Sequence, residues 1–246
     1  MIRQLGHAGT RLANLVLPHQ CVICRCFAES TGLCGGCWRG LAPIAPPVCR
    51  VCGLPLGHTL ADPVCAACFT DPPPLAVIRA ALHYNDSSRQ LILAFKHGDA
   101  LQLTPFLSAL AARDFTALCA ADTLVVPVPL HRRRYLKRRY NQSAELARHL
   151  CRTAGIGQFA PTMLTRRRAT VSQGGLSRRQ RRRNLAGAFA VPLAERSGLA
   201  GRPVLLVDDV MTTGATLFEA ANCLTRAGSG DISALVLARV VRPHEA

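Results

Sequence analysis

The sequence predicts an α/β fold: a mostly parallel sheet flanked by helices, preceded by a small metal-bound module. Three observations predict it. Short aliphatic runs, at 204–207, 124–128 and 232–240, alternate with amphipathic stretches such as 142–154, as expected of strands buried on both faces and joined by helices. Eight of the twelve cysteines fall into four C-x-x-C pairs ahead of Pro72. The 246-residue chain has room for one sizeable α/β domain and a smaller module beside it.

In chain order, residues 1–18 (Ile2, Leu5, Leu12, Leu15, Val16) read as a short amphipathic helix. Gly6, His7 and Arg11 interrupt the apolar core that a signal peptide would need, and no run approaches the roughly 18 apolar residues of a membrane span, so the expected location is cytoplasmic. Residues 19–71 carry the pairs Cys21/Cys24, Cys34/Cys37, Cys49/Cys52 and Cys65/Cys68. Each pair puts two thiolates on one tight knuckle, and two knuckles complete a tetrahedral four-sulfur shell that suits zinc, so two structural zinc ions are expected. Sequential grouping is simplest; an interleaved grouping, first pair with third and second with fourth, is the alternative, since spacing alone does not decide between them. A redox C-x-x-C would need a βαβ context that this Gly- and Pro-rich segment lacks. With few large apolar residues here, metal must hold the module together.

Pro72-Pro73-Pro74 marks a boundary, and the α/β domain is expected over 75–242. Residues 77–84 have strand character, Leu91, Ile92 and Phe95 suggest a helix ending near Lys96, and 101–118 continue as a helical stretch. The run 124–130 is a buried strand whose two prolines confine regular pairing to its first half. A cationic loop, 132–139, precedes Tyr140-Asn141-Gln142 and a helix closed by Gly155. Residues 165–184 lack apolar periodicity, 185–191 regain strand character, and 232–240 supply a last strand.

Residues 204–216 organise the rest. Val204 to Val207 should be a buried strand ending where the polarity switches, at Asp208 and Asp209; small and hydroxylated residues follow, then Leu217, Ala220, Ala221 and Leu224 at helical spacing. Such a strand–loop–helix presents free N–H groups and a helix dipole to a phosphate. Two carboxylates beside a phosphate cradle would repel bare phosphate, so they must face hydroxyls or a metal ion, and a sugar phosphate offers both. No Gly-Lys-Ser/Thr loop or Gly-x-Gly-x-x-Gly turn is present to make a nucleotide or dinucleotide site.

The net charge of +16 is concentrated: 16 of the 30 basic residues lie within 131–184, where Glu145 is the one acid. That concentration wants a polyanion. Arginine forks suit pyrophosphate, while a broad basic stripe suits nucleic acid.

Asp208 to Thr216 resembles the phosphoribosyl pyrophosphate (PRPP) signature of type I phosphoribosyltransferases. Together with the four C-x-x-C pairs, Lys96-x-Gly98-Asp99, Pro127-Val128-Pro129-Leu130, Asn141-Gln142 and Thr170-x-x-Gln173 with Arg181 and Asn184, the chain is similar to the ComF family of competence-associated proteins. The resemblance implies a double zinc ribbon on a phosphoribosyltransferase-like domain. It implies Asp208 and Asp209 on the ribose, and Val210, Met211, Thr212, Thr213, Gly214, Ala215 and Thr216 around the 5′-phosphate. Val128, Pro129, Leu130 and Arg132 become the pyrophosphate loop. Lys96, Arg138, Asn141, Gln142, Gln173, Arg181 and Asn184 become hood and basic contacts. It further implies Mg²⁺ carried with PRPP, single-stranded DNA and competence-machinery proteins as partners, and phosphoribosyl transfer linked to DNA uptake. One departure is visible: Arg139 stands where the family commonly has glycine.

Overall fold

The computed structural model describes residues 20–28, 32–59, 61–97, 100–168 and 178–241. The expected N-terminal helix, Gly98, Asp99, Thr170 and Gln173 lie outside the described residues, as does the side chain of Arg181.

The cysteines group sequentially. Cys21, Cys24, Cys34 and Cys37 form one cluster and Cys49, Cys52, Cys65 and Cys68 another, the ligand atoms of each lying within 4.8 Å of one another. Helices α1 (Gly35–Arg39) and α2 (Ala66–Thr70) each start directly after the first cysteine of a knuckle. The linker between the ribbons runs antiparallel beside β1 (Val77–His83), with Ile44 N–H donating to Ala81 O and His83 N–H to Ala42 O. It thereby covers a sheet edge that would otherwise expose unpaired backbone groups.

After β1 come α3 (Asp86–His97), α4 (Thr104–Leu118), β2 (Leu124–Pro127), α5 (Arg132–Arg138), α6 (Gln142–Ala154), β3 (Gln158–Phe159), β4 (Thr165–Arg166), α7 (Arg178–Leu185), β5 (Phe189–Ala190), α8 (Arg196–Leu199), β6 (Val204–Met211), α9 (Ala215–Arg226) and β7 (Ile232–Arg239). Strands pair in parallel in the order β1-β7-β6-β2-β3, and β4 with β5 forms a separate antiparallel ribbon. The expected parallel sheet with flanking helices is therefore observed.

Alternation along the strands sorts the core into two layers. Val204 and Leu206 of β6 face α9 (Leu217, Ala220, Leu224) and the second ribbon, whereas Leu205 and Val207 face α3, α4 and α6 through Phe95, Leu107, Phe115, Leu146 and Leu150.

Three expectations are corrected. β6 does not stop at Val207: β7 continues beside it to Arg239, so Asp208, Val210 and Met211 keep ladder partners on that side after β2 has ended at Pro127. The cationic loop is largely helix α5, whose entry is capped by His131 Nδ1 accepting from Arg133 N–H at 3.3 Å. The arginine run 178–183 lies in helix α7, and the strand expected over 185–191 shrinks to Phe189–Ala190.

Candidate functional site

From β2 the chain crosses to β3 on one side of the sheet; from β6 it crosses to β7 on the other. The crevice at the carboxyl ends of β2 and β6 is thus a topological switch point, where open parallel sheets take ligands. A cleft of about 510 Å³ lies there, lined by Val128, Pro129 and Leu130 after β2, by Asp208 to Met211 at the end of β6 and by Thr212 and Gly214 to Leu217 beyond it, with Tyr84, Lys96, Arg134, Arg138 and Arg166 around it.

The acid pair is held unequally. Asp208 Oδ1 accepts from the Asp209 N–H at 2.9 Å and from the Ser143 hydroxyl at 3.1 Å. Burial, reinforced by the charge of Asp209, nonetheless raises the Asp208 carboxyl to about 7, with Asp209 N–H, Lys96 and Ser143 pulling the other way. Asp209 Oδ1 meets Lys96 Nζ at 2.8 Å, and both side chains are less than a fifth exposed. Lys96 is therefore a cation that a bound polyanion and Asp209 would share.

The loop that follows turns on Gly214, the N-cap of α9 at a φ of 76°. Only glycine suits it twice over: the left-handed backbone disfavours a side chain, and a Cβ would lie 2.5 Å from the Phe218 ring. The turn brings the amino-terminal end of α9, where the helix dipole is positive, to the cleft together with Thr212 and Thr216. Thr213 faces the opposite side, and its Oγ1 is buried without a hydrogen-bond partner among the described residues.

Not every sequence-predicted residue lines the cleft. Arg132 is exposed at the start of α5, and Arg134, further along the helix, takes the lining position. Asn141 and Gln142 sit beneath it: Asn141 Nδ2 donates to Val128 O at 3.1 Å, while the buried Gln142 donates to Lys96 O and accepts from Arg138 Nη1, each at 3.3 Å. One amide thus braces two cations of the wall. Asn184 O accepts from Arg168 away from the lining residues. Arg166, stacked 5.4 Å from the Phe189 ring, lines the cleft and has its guanidinium pKa lowered, by burial first and then by Arg134. Sequence reasoning missed Tyr84, Arg166 and Ser143 as site residues. Ser143 carried a signal: it is a hydroxyl on the apolar face shared with Leu146, Ala147 and Leu150.

Both cysteine clusters fit zinc. A tetrahedron with Zn–S bonds of about 2.3 Å has edges of about 3.8 Å. The Cys24–Cys34 and Cys52–Cys65 sulfur separations are 3.5 and 3.7 Å, and Cys65 N–H donates to Cys49 Sγ at 3.4 Å.

Fold and site define a class: a four-cysteine zinc-ribbon protein whose parallel α/β domain carries an acid pair and a small-residue loop in its strand-switch crevice. Residues 12–69 match the double zinc ribbon domain family. The chain is 34% identical over 235 residues to DNA utilization protein YhgH of Escherichia coli K12, covering 92% of this chain and 100% of that one. It is 32% identical to competence protein F of Haemophilus influenzae, covering 89% and 96% respectively. The chain belongs to the ComF family. Among solved structures, adenine phosphoribosyltransferase of Thermoanaerobacter pseudethanolicus overlaps 58% of this chain and 83% of that one at 15% identity with a TM-score of 0.34. No helix among the described residues is long and apolar enough to cross a membrane.

Proposed function

We propose that the cleft binds PRPP, with Mg²⁺ carried on the substrate, and serves phosphoribosyl transfer. The observation that carries this reading is the pairing of two carboxylates, end-on in β6, with the Gly214 turn of α9 and a facing wall of Lys96, Arg134, Arg138 and Arg166. Carboxylates accept from ribose 2′ and 3′ hydroxyls, the loop N–H groups and threonines hold the 5′-phosphate, and the cations face the pyrophosphate. When an acceptor nucleophile bonds to ribose C1, the bond from C1 to the pyrophosphate oxygen breaks and pyrophosphate leaves with that electron pair. Positive charge develops on the ribose as it does so, next to Asp208 and Asp209, and the fixed charges stabilise it without reorganising.

Calorimetric titration with PRPP and Mg²⁺ tests this directly. Millimolar or tighter binding is expected for the parent chain, and the Asp208→Asn/Asp209→Asn double variant should weaken it by about a hundredfold or more, the loss of two charge-assisted hydrogen bonds worth roughly 1.5–3 kcal/mol each. Unchanged affinity in the double variant overturns the assignment.

A second reading concerns the polyanion outside the cleft. Helix α5 exposes Arg132, Arg133, Tyr135 and Leu136 beside the cleft mouth, cations interleaved with an aromatic ring. Such a surface suits single-stranded DNA, whose backbone meets the charge and whose bases stack on the ring. The relatives' names, DNA utilization and competence, support a role in DNA uptake, in which competence proteins would be partners.

A further inference from the structure

The two cysteine clusters differ in setting. In the first, Cys24 is exposed and Cys34 and Cys37 are half-buried; in the second, all four cysteines are buried. Zinc on four thiolates leaves a net negative centre, which water screens less fully at the buried second site than at the first. A buried anion needs an internal counter-charge.

One cation is placed to supply it. Arg239, the last residue of β7, is only 5% exposed. Its Nη1 donates to the carbonyl of Cys52, inside the second cluster's first knuckle, and its Nε is buried without a hydrogen-bond partner among the described residues. No Asp or Glu side chain of the described residues lies within ion-pair distance of it. A cavity of about 170 Å³ brings Arg239 together with Cys52, Cys65, Cys68, Thr212 and Thr213. The one carboxylate lining the same cavity, Asp71, is exposed and is not ion-paired with Arg239. A buried guanidinium beside thiols built to hold a dication is a charge pair completed by the metal.

The backbone of the same residue is stitched to the phosphate-type loop. Arg239 is the ladder partner of Met211, Val240 N–H donates to Met211 O at 2.9 Å, and Tyr84 N–H donates to Arg239 O at 2.7 Å. Met211 enters the Gly214 turn, and Tyr84 lines the cleft. We propose that Arg239 is the internal counter-charge of the second four-cysteine zinc site, and that through it the metal at that site holds the 211–216 loop in shape.

The proposal is tested on the full zinc-loaded chain without PRPP, so it stands or falls separately from the ligand reading. Zinc release to a colorimetric chelator is followed for the parent, Arg239→Met and Arg239→Lys. Arg239→Met should release one of two zinc equivalents about tenfold faster or more, in the range that hydrogen-bonding neighbours of the ligands contribute to metal affinity. The other equivalent should leave at the parental rate, and Arg239→Lys should restore much of the difference because it keeps the charge. Parental release of both equivalents from Arg239→Met overturns the counter-charge. Hydrogen exchange in Cys68→Ser and Cys37→Ser gives the second readout, which needs no Arg239 variant to fold. Loss of the second site should speed amide exchange over 211–217, and loss of the first should not. Equal exchange in the two variants overturns the link to the loop.

Discussion

Asp208 is where burial and a like charge meet on one side chain, and its titration is the consequence. Its folded carboxyl titrates near 7 against an ordinary 3.8, so the folded chain holds this proton to higher pH than the unfolded chain does. The contribution to stability is therefore full below about 4 and is lost as pH rises through about 7. Ligand binding runs the other way, since ribose hydroxyls need an ionised acceptor. PRPP affinity should fall as pH drops below about 7, by up to about tenfold per unit. The Ser143 hydroxyl favours the ionised form, so Ser143→Ala should move that midpoint upward in a pH series of calorimetric titrations. A midpoint unmoved by Ser143→Ala contradicts this account of the pair. The acid pair was legible in the sequence because two adjacent carboxylates after an aliphatic run have few structural uses. Ser143 was legible only as a hydroxyl on the apolar face of α6, because nothing local says that α6 lies under β6. Arg139 shows the reverse case: it adopts a φ of 65° at the end of α5, a left-handed conformation that glycine takes at no steric cost, which gives the family's usual glycine a backbone reason.

Among the elements, α5 departs most from its sequence reading. Six basic residues within 132–139 have no apolar periodicity, so the run looked like loop; its helix is set by the His131 cap. Helix formation turns Arg134 and Arg138 toward the cleft and leaves Arg132, Arg133 and Tyr135 outside. Fluorescence anisotropy with a labelled single-stranded oligonucleotide should show salt-dependent binding, and Arg132→Ala/Arg133→Ala should flatten the log–log salt slope by about 1.4, roughly 0.7 for each phosphate that is no longer neutralised. A weak, salt-insensitive response sinks the DNA reading. β6 was read correctly in kind and too short, because a strand's end is decided by its neighbours: β2 stops at Pro127 while β7 runs on to Arg239. The C-x-x-C spacing foretold two four-sulfur sites but left their pairing open; the fold closes it by bringing Cys34 to Cys24 and Cys65 to Cys52.

At the scale of the molecule, the parallel sheet and its layers were legible because aliphatic runs and helical periods alternate through 77–240. What no sequence pattern gives is that the second ribbon packs on the same sheet face as α9, so that zinc knuckle, phosphate-type loop and strand end share one core. That arrangement makes the crevice a seat open at the carboxyl ends of β2 and β6 and walled by cations from α3, α5 and β4. The central claim is that this seat grips a ribose 5-phosphate, and a crystal structure of the zinc-loaded chain with PRPP and Mg²⁺ tests it most directly. The 5′-phosphate should lie within about 3 Å of the backbone N–H groups of 212–216, with the ribose 2′ and 3′ hydroxyls on Asp208 and Asp209. A PRPP molecule bound elsewhere, or turned so that its pyrophosphate fills the Gly214 turn, would contradict the account.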